Sequence, residues 1–211
     1  MTASQILVLA KEPRPGRVKT RLCPPCTPEQ AAGIAAAALA DTLDTVSATH
    51  VDRRILVVDG EHPAPPGWLT VPQRGGPLDE RLAGAFADTR VAGAATVLIG
   101  MDTPQITAGR LAAALEQLHT PDGPDAVLGP AADGGWWALG LRDAGDATVL
   151  RGIVTSTADT GEHTLTALHR RGLRVAMLPE LCDVDTADDA RQVAALCPPD
   201  SRFALATAVI R

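Results

Sequence analysis

Five cationic side chains, Lys11, Arg14, Arg17, Lys19 and Arg21, fall within eleven residues of a chain whose formal net charge is -6. Pro13, Pro15 and Gly16 stand among them and exclude a regular helix, so Lys11 to Leu22 reads as a loop. Arg offers a planar fork to phosphate oxygens and Lys a mobile point charge. A loop of this composition is suited to polyphosphate, with Lys11, Gly16, Arg17, Lys19, Thr20 and Arg21 as its contacts. A solvated basic turn would have the same composition, and the acidic residues elsewhere in the chain favour the phosphate reading.

Those acidic residues stand where a hard cation needs them. Asp102 follows the apolar run Ala95–Gly100 and precedes Pro104, which ends the strand ladder. Magnesium typically takes one or two such carboxylates plus substrate phosphates, and manganese is the equivalent choice. Asp183 and Asp185 are two apart and point the same way if their segment is extended, so Asp102, Asp183 and Asp185 are the expected metal ligands. Asp185 and Thr186 would equally begin a helix. Gly76, in a glycine pair before a helix, can offer its N–H to an anion, and Gln73 can meet a base. Asp133-Gly134-Gly135 reads as a tight turn that lets a ligand approach the backbone, with Trp136 or Trp137 able to stack and one of the two in the core. The five histidines lack metal-ligand spacing, and neither a nucleophile elbow nor a glycine-rich dinucleotide fingerprint is present.

These residues need a frame that brings them together. Ile6–Ala10, Arg54–Asp59, Leu69–Pro72, Ala95–Gly100, Ala126–Pro130, Trp136–Leu141 and Arg174–Leu178 read as strands. Helices are expected from Thr27, with Pro28 at its first position and Gln30 completing a capping box. Others run over Pro77–Asp88, with Leu78, Leu82, Ala85 and Phe86 on one face, then from Thr107, over Thr164–Arg171 and over Ala187–Leu196. The segment Phe203–Ile210 is apolar enough to dock. Strands alternating with helices imply an α/β fold, a three-layer α/β/α sandwich around a mostly parallel sheet. Ligands then sit at the carboxyl ends of the strands near a switch in strand order, which puts the basic loop, Asp102 and the Asp133 turn on one edge.

Length and composition narrow the class. At 211 residues a single domain spanning 1–211 is expected. With 45% hydrophobic but only 2% aromatic residues, the core must be built of Ala, Val, Leu and Ile. A pI near 5.3 argues against nucleic acid as a partner. The apolar runs are too short for a membrane partner, and no secretory signal is read at the amino terminus, so the expected location is cytoplasmic. Cys23 and Cys26 form a CxxC, but Cys182 and Cys197 lack matching spacing and the pattern is not thioredoxin-like, so reduced thiols are expected.

Taken together, Lys11-x-Pro-x-x-Gly-x-x-Lys19-Thr20-Arg21-Leu22, Gly100-Met101-Asp102-Thr103-Pro104, Gly129 to Gly135 and Asp183-Val184-Asp185-Thr186 resemble a glycosyltransferase-like family of GT-A type, long carried as a domain of unknown function. The likeness spans about residues 5 to 196. The opening motif also resembles the 2-phospholactate guanylyltransferases and, more distantly, is similar to the molybdenum-cofactor guanylyltransferases and sugar-nucleotide pyrophosphorylases. The resemblance implies a Rossmann-like nucleotide-diphospho-sugar transferase fold. It also implies a metal-dependent (Mg2+ or Mn2+) site for a nucleoside triphosphate or NDP-sugar and a small-molecule acceptor. Carried over, Lys11, Lys19 and Arg21 match the phosphate loop, Asp102 the metal aspartate, Asp183 and Asp185 the second acidic motif, and Asp133, Gly134 and Gly135 the acceptor turn beside Trp136. Lys19 and Asp102 are then the catalytic pair. Trp136-Trp137 and Thr155-Ser156-Thr157 depart from the family's Tyr-like aromatic and Trp-Ser-Thr. Nucleotidyl transfer from a triphosphate to a phosphorylated acceptor is favoured, because Gly100 leaves one carboxylate where many glycosyltransferases carry Asp-x-Asp. Glycosyl transfer from an NDP-sugar is the alternative, a non-catalytic nucleotide binder the third reading. A homodimer is compatible with the sequence.

Overall fold

A computed structural model describes residues 3–210; Met1, Thr2 and Arg211, which the expected domain span includes, lie outside the described residues. The short apolar runs pair into one sheet: β1 (Ser4–Lys11), β2 (Arg53–Asp59), β3 (Leu69–Pro72), β4 (Ala95–Gly100), β5 (Ala126–Pro130), β6 (Trp136–Leu141) and β7 (Val175–Met177). Their order is β3-β2-β1-β4-β6-β5-β7. Among these strands β6 alone runs against its neighbours, and the rest are parallel.

Strand alternation decides which face each side chain joins. Ile6, Val8 and Ala10 of β1 pack with Leu39 and Leu43 of α1 (Pro28–Ala48) and Leu111 and Leu115 of α3 (Ala108–His119). Leu7 faces the opposite side, with Leu82 and Phe86 of α2 (Leu78–Thr89) and Leu168 of α4 (Thr160–Arg170). This is the expected three-layer arrangement. Helix α1 starts where its capping box puts it: Thr27 Oγ1 accepts from the Gln30 N–H at 3.2 Å while Gln30 Oε1 accepts from the Thr27 N–H at 2.8 Å.

A further layer lies outside the sandwich. The other side of α1, through Ile34 and Ala38, packs on Val193 of α5 (Ala187–Ala194) and Phe203 of α6 (Arg202–Thr207). Helix α1 is therefore buried on two sides, and its alanines let both neighbours approach. Phe203 is fully buried, worth roughly 1.5–3 kcal/mol. Asp41 of α1 accepts from the Phe203 N–H at 2.8 Å and pairs with Arg202, fixing the start of α6.

Several boundaries differ from the sequence reading. Helix α4 begins at Thr160 rather than Thr164, because Thr160 Oγ1 accepts from the Thr157 N–H at 3.1 Å and holds the preceding turn closed. A 3-10 segment, Ala144–Leu150, was not foreseen; Asp143 starts it, and Ala144, Ala147 and Leu150 are buried at threefold spacing. Leu78 does not join the core face of α2 but is 39% exposed at the rim of a cleft. Helix α5 ends at Ala194 and β7 spans only Val175–Met177. The four cysteines are free thiols. Among the described residues no helix is long and apolar enough to cross a membrane.

Candidate functional site

From β1 the chain moves outward through β2 to β3, then returns to the other side of β1 as β4. The carboxyl ends of β1 and β4, at Lys11 and Gly100, therefore flank the crevice where the strand order reverses, the usual ligand position in such sheets. A cleft of about 550 Å³ opens there, and Asp102, Asp133, Asp183 and Asp185 all line it. Two smaller recesses of about 230 and 340 Å³ adjoin it, and Asp102 lines all three.

The basic loop divides its cations. Glu12 anchors the loop to the end of β2, with its N–H donating to the Asp59 carbonyl and its carboxylate accepting from the Glu61 N–H, both at 2.8 Å. Arg14 is taken up by Glu12 at 2.7 Å. Gly16 adopts φ +73 at the turn, and Lys11 and Arg17 stay exposed. Lys19 turns inward, whereas Arg21 stays exposed at the rim of the site. The Lys19 ammonium lies 2.5 Å from Asp102 Oδ1 and 3.4 Å from Asp185 Oδ1, and Arg21 reaches Asp185 Oδ2 at 3.2 Å. Burial alone would lower the Lys19 pKa, but the carboxylates of Asp102 and Asp185 outweigh it and hold the ammonium above its ordinary value. Lys19 itself sits in the left-handed backbone region, φ 48 and ψ 38, immediately before a 3-10 turn at Thr20–Leu22. Thr20 is exposed and lines the smallest recess with them.

Asp183 and Asp185 face the same way, as the extended reading requires. Val184 between them points into the core, and its N–H donates to the Asp102 carbonyl at 2.9 Å, which ties this segment to the end of β4. The carboxylates that gather are Asp133, Asp183 and Asp185, each offering an oxygen within 4.8 Å of the others. The sequence had grouped Asp102 with the last two and set Asp133 on the acceptor side; the structure gives Asp102 to Lys19 and brings Asp133 into the acidic group. Asp183 Oδ1 is buried without a hydrogen-bond partner. Burial, then the neighbouring Asp133, push its carboxyl up to about 6. A divalent cation with bonds of about 2.1 Å spans oxygens up to about 4.2 Å apart, so a small contraction of the trio would hold one. Such an ion would give the orphaned oxygen a partner and remove the repulsion. The residues present fit a hard cation, Mg2+ or Mn2+.

The glycine turn borders the main cleft through Asp133 and Gly135, while Gly134 packs against the chain itself. Gly134 has φ +88, and a Cβ there would fall on the Ala158 carbonyl. Gly161 N–H donates to the Gly134 carbonyl at 2.8 Å, and Asp133 Oδ1 accepts from the Gly135 N–H at 2.8 Å. The close approach that glycine permits is made by the chain's own 155–161 segment rather than left for a ligand. Trp136 is half-buried on the cleft wall, its indole N–H donating to Thr164 Oγ1 at 3.2 Å. Trp137 is the core tryptophan, packed so tightly over Gly129 that a Cβ there would meet it at 2.5 Å.

Gln73 lines the 340 Å³ recess, but its amide N–H groups go to the carbonyls of Ala10 at 2.7 Å and Val57 at 3.2 Å, so the side chain joins β1 to β2 instead of presenting those donors to a base. Gly76 borders the same recess with φ +105. Sequence reasoning missed the Asp59–Arg81 pair there, 2.7 Å apart; Thr155-Ser156-Thr157, noted in the sequence only as a departure from the family pattern, forms a hydroxyl-bearing wall of the main cleft. Asp59 was readable as the polar end of an apolar strand; nothing local marked Arg81 as its partner.

A model of the family described as "Uncharacterized protein conserved in bacteria (DUF2064)" matches residues 34–157. No curated protein matches the chain. Among solved structures, a Desulfovibrio desulfuricans G20 protein, inferred to be a nucleotide-diphospho-sugar transferase, is 29% identical over 100% of this chain and 98% of its own, with a TM-score of 0.84. Rv0371c of Mycobacterium tuberculosis H37Rv, solved with manganese, is 22% identical over 91% of this chain and 98% of its own, with a TM-score of 0.56. CMP:2-keto-3-deoxy-manno-octonic acid synthetase, solved with CTP, is 12% identical over 92% and 98%, with a TM-score of 0.59. The last two share the fold.

Proposed function

The chain belongs to the DUF2064 family, and from that premise we propose that it is a transferase that uses a nucleotide donor and a divalent cation, with nucleotidyl transfer as its reaction. One observation carries this reading: Lys19 and Arg21 converge on Asp185, beside Asp102, at the carboxyl edge of the β1–β4 switch point. Two cations and a carboxylate cluster at one strand edge are what a metal-bound polyphosphate requires. The D. desulfuricans relative supports a nucleotide donor, and the manganese in Rv0371c supports a divalent cation.

In this reaction an oxygen of the acceptor's phosphate attacks the α-phosphorus of a nucleoside triphosphate. The bond from that phosphorus to the bridging oxygen breaks, and pyrophosphate leaves. Lys19 and Arg21 neutralise the donor's phosphates, with the exposed Lys11 and Arg17 available to the leaving pyrophosphate. Asp133, Asp183 and Asp185 would hold the cation, with Asp102 beside them at the end of β4 as a further oxygen donor. A bound Mg2+ or Mn2+ supplies charge neutralisation and orients the phosphates. The acceptor lies in the main cleft against Trp136 and the Asp133–Gly135 turn. Glycosyl transfer from an NDP-sugar is the second reading, favoured by the description of the D. desulfuricans relative.

Calorimetric titration of GTP, CTP, UTP, ATP and UDP-glucose, with and without Mg2+, separates the two. Magnesium-dependent binding of one triphosphate supports nucleotidyl transfer, and preference for UDP-glucose moves the assignment to glycosyl transfer. Asp102→Asn is expected to abolish turnover while donor binding persists; full turnover in this variant would refute the assignment of Asp102.

A further inference from the structure

The main cleft and the basic recess take their apolar linings from opposite faces of the sheet. Val18, Ala35 and Met101 line the 230 Å³ recess and belong to the core on the α1 and α3 side. Leu82 and Leu98 line the main cleft and belong to the core on the α2 and α4 side, with Leu9 beside them and Leu78 at the rim. Neither adjoining recess is lined by Leu82, Leu98 or Trp136. Alternation along β4 puts Gly100 on the same face as Leu98, and a Cβ there would meet nothing nearer than the Asp102 nitrogen at 3.9 Å. The missing side chain is thus part of the cleft's volume.

We propose that this cleft selects an acceptor whose single phosphate carries a compact apolar group, the residue of a branched aliphatic or aromatic alcohol, in preference to a sugar or a hydroxy acid. The inference rests on the reading above that the chain transfers a nucleotidyl group to a phosphorylated acceptor, and it names that acceptor's organic part. The acceptor's phosphate oxygen still displaces pyrophosphate from the α-phosphorus, so only the phosphate has to reach the carboxylate edge.

Charge and hydrogen bonding both point this way. Among the described residues that line the cleft, Arg21 is the sole cation, and it already faces Asp185 at 3.2 Å. Asp102, Asp133, Asp183 and Asp185 share the lining, so a second acidic group on the acceptor meets repulsion and finds no partner. The hydroxyls of a sugar would lie over Leu82 and Leu98, whose side chains neither donate nor accept, and would lose their water without replacement. An apolar group gains from the same floor. Trp136 adds to it, because its indole N–H is taken by Thr164 Oγ1 at 3.2 Å and the ring has only apolar surface left to offer. Thr155, Ser156 and Thr157 give neutral hydroxyls along the wall. That wall is held in place by the buried Thr160, whose Oγ1 donates to the Thr157 carbonyl at 2.8 Å and accepts from the Thr157 N–H at 3.1 Å. Within it Ser156 keeps φ 62, a left-handed conformation that a non-glycine residue holds only where its surroundings require it. Gly100 then sets how large the apolar group can be, since a leucine there would fill the floor beside Leu98.

Pyrophosphate release by the full chain, with Mg2+ and each of GTP, CTP, UTP and ATP, tests the preference. The acceptors compared are 3-methylbutyl phosphate, benzyl phosphate, glucose 1-phosphate and 3-phosphoglycerate. The two apolar phosphates are expected to exceed the other two in kcat/KM by about tenfold or more, the scale of a methylene in an apolar pocket. Calorimetry with Mn2+ and no donor reads binding alone. Benzyl phosphate is expected to bind the wild type and to bind Gly100→Leu about tenfold more weakly, while the variant keeps its affinity for triphosphate. Gly100→Ala, which adds a single methyl, is the second variant should the leucine fail to fold, and it too is expected to weaken benzyl phosphate. Equal or better use of glucose 1-phosphate or 3-phosphoglycerate would overturn the inference. Unchanged benzyl phosphate binding in a folded Gly100 variant would do the same, as would no binding of either apolar phosphate to the wild type. Benzyl phosphate bound in a Gly100-dependent way, with no pyrophosphate released from any triphosphate, would instead refute nucleotidyl transfer and leave the preference of the cleft standing.

Discussion

Lowering the pH from 7 to 5 is expected to weaken Mn2+ binding by the nucleotide-free protein about tenfold. The perturbation acts on Asp183, whose carboxyl is pushed up to about 6 by burial and by the nearby Asp133. A cation needs the ionised form, which makes up about nine-tenths of the population at pH 7 and about one-tenth at pH 5, and the ratio sets the loss. Lys19 does not titrate in this window, because its ammonium is held above an already high value. The same shift predicts an inverted stability profile. With its pKa above the ordinary 3.8, Asp183 keeps its proton in the folded chain where the unfolded chain has released it. Its ionisation therefore costs nothing below about pH 4, and the full penalty is present above about pH 6. Asp125 behaves in the opposite sense: hydrogen bonds from Arg174 hold it down to about 2, so its contribution is complete above about pH 4 and is lost only as the pH falls towards 2. In metal-free buffer, the part of the melting temperature that depends on Asp183 should fall as pH rises from 4 to 6, and Mn2+ should restore it more at pH 7 than at pH 5. The assay is Mn2+ titration at both pH values with circular dichroism to establish the fold, and Asp183→Asn as the variant that removes both the affinity and its pH dependence. Equal affinity at pH 7 and pH 5, in folded protein, would refute the argument.

Two further outcomes follow from local geometry. Gly134→Ala places a side chain at φ +88 and onto the Ala158 carbonyl. The left-handed strain alone costs about 1–2 kcal/mol, so the melting temperature should drop by roughly 2–8 °C or more, and an unchanged value would mean that the 155–161 segment does not rest on this turn. Cys23→Ser should shift the melting temperature by no more than about 2 °C and leave the purified protein free of zinc, since Cys23 is an unbonded thiol; zinc measured by mass spectrometry in the wild type, lost in the variant, would contradict this.

Much of this molecule was legible along the chain. The Thr27–Gln30 capping box, the apolar runs that became strands, and the order of strands and helices are written in neighbours a few residues apart, and they required an α/β sandwich. The alternation around Val184 was enough to aim Asp183 and Asp185 together. Even the edge that gathers the charged residues followed from one rule about parallel sheets. Other features were beyond such reading. The sequence places the start of α4 at Thr164, whereas the helix begins at Thr160, where the Gly161 N–H meets the Gly134 carbonyl from far back in the chain. Leu78 kept the spacing of a core residue yet stands at the mouth of a cleft.

The partition of the carboxylates shows the boundary most clearly. Residue type and spacing determined that aspartates at strand ends would meet a basic loop on one sheet edge, because strand direction and side-chain alternation are properties of the local backbone. Which aspartate would face Lys19, and which would close on Asp183, was decided by distances of a few ångströms between segments as far apart as the basic loop, the Asp133 turn and the Asp183–Asp185 run. Charge interactions change steeply over that range, and only the packed sheet, with β5 and β6 folded back beside β4, sets those separations.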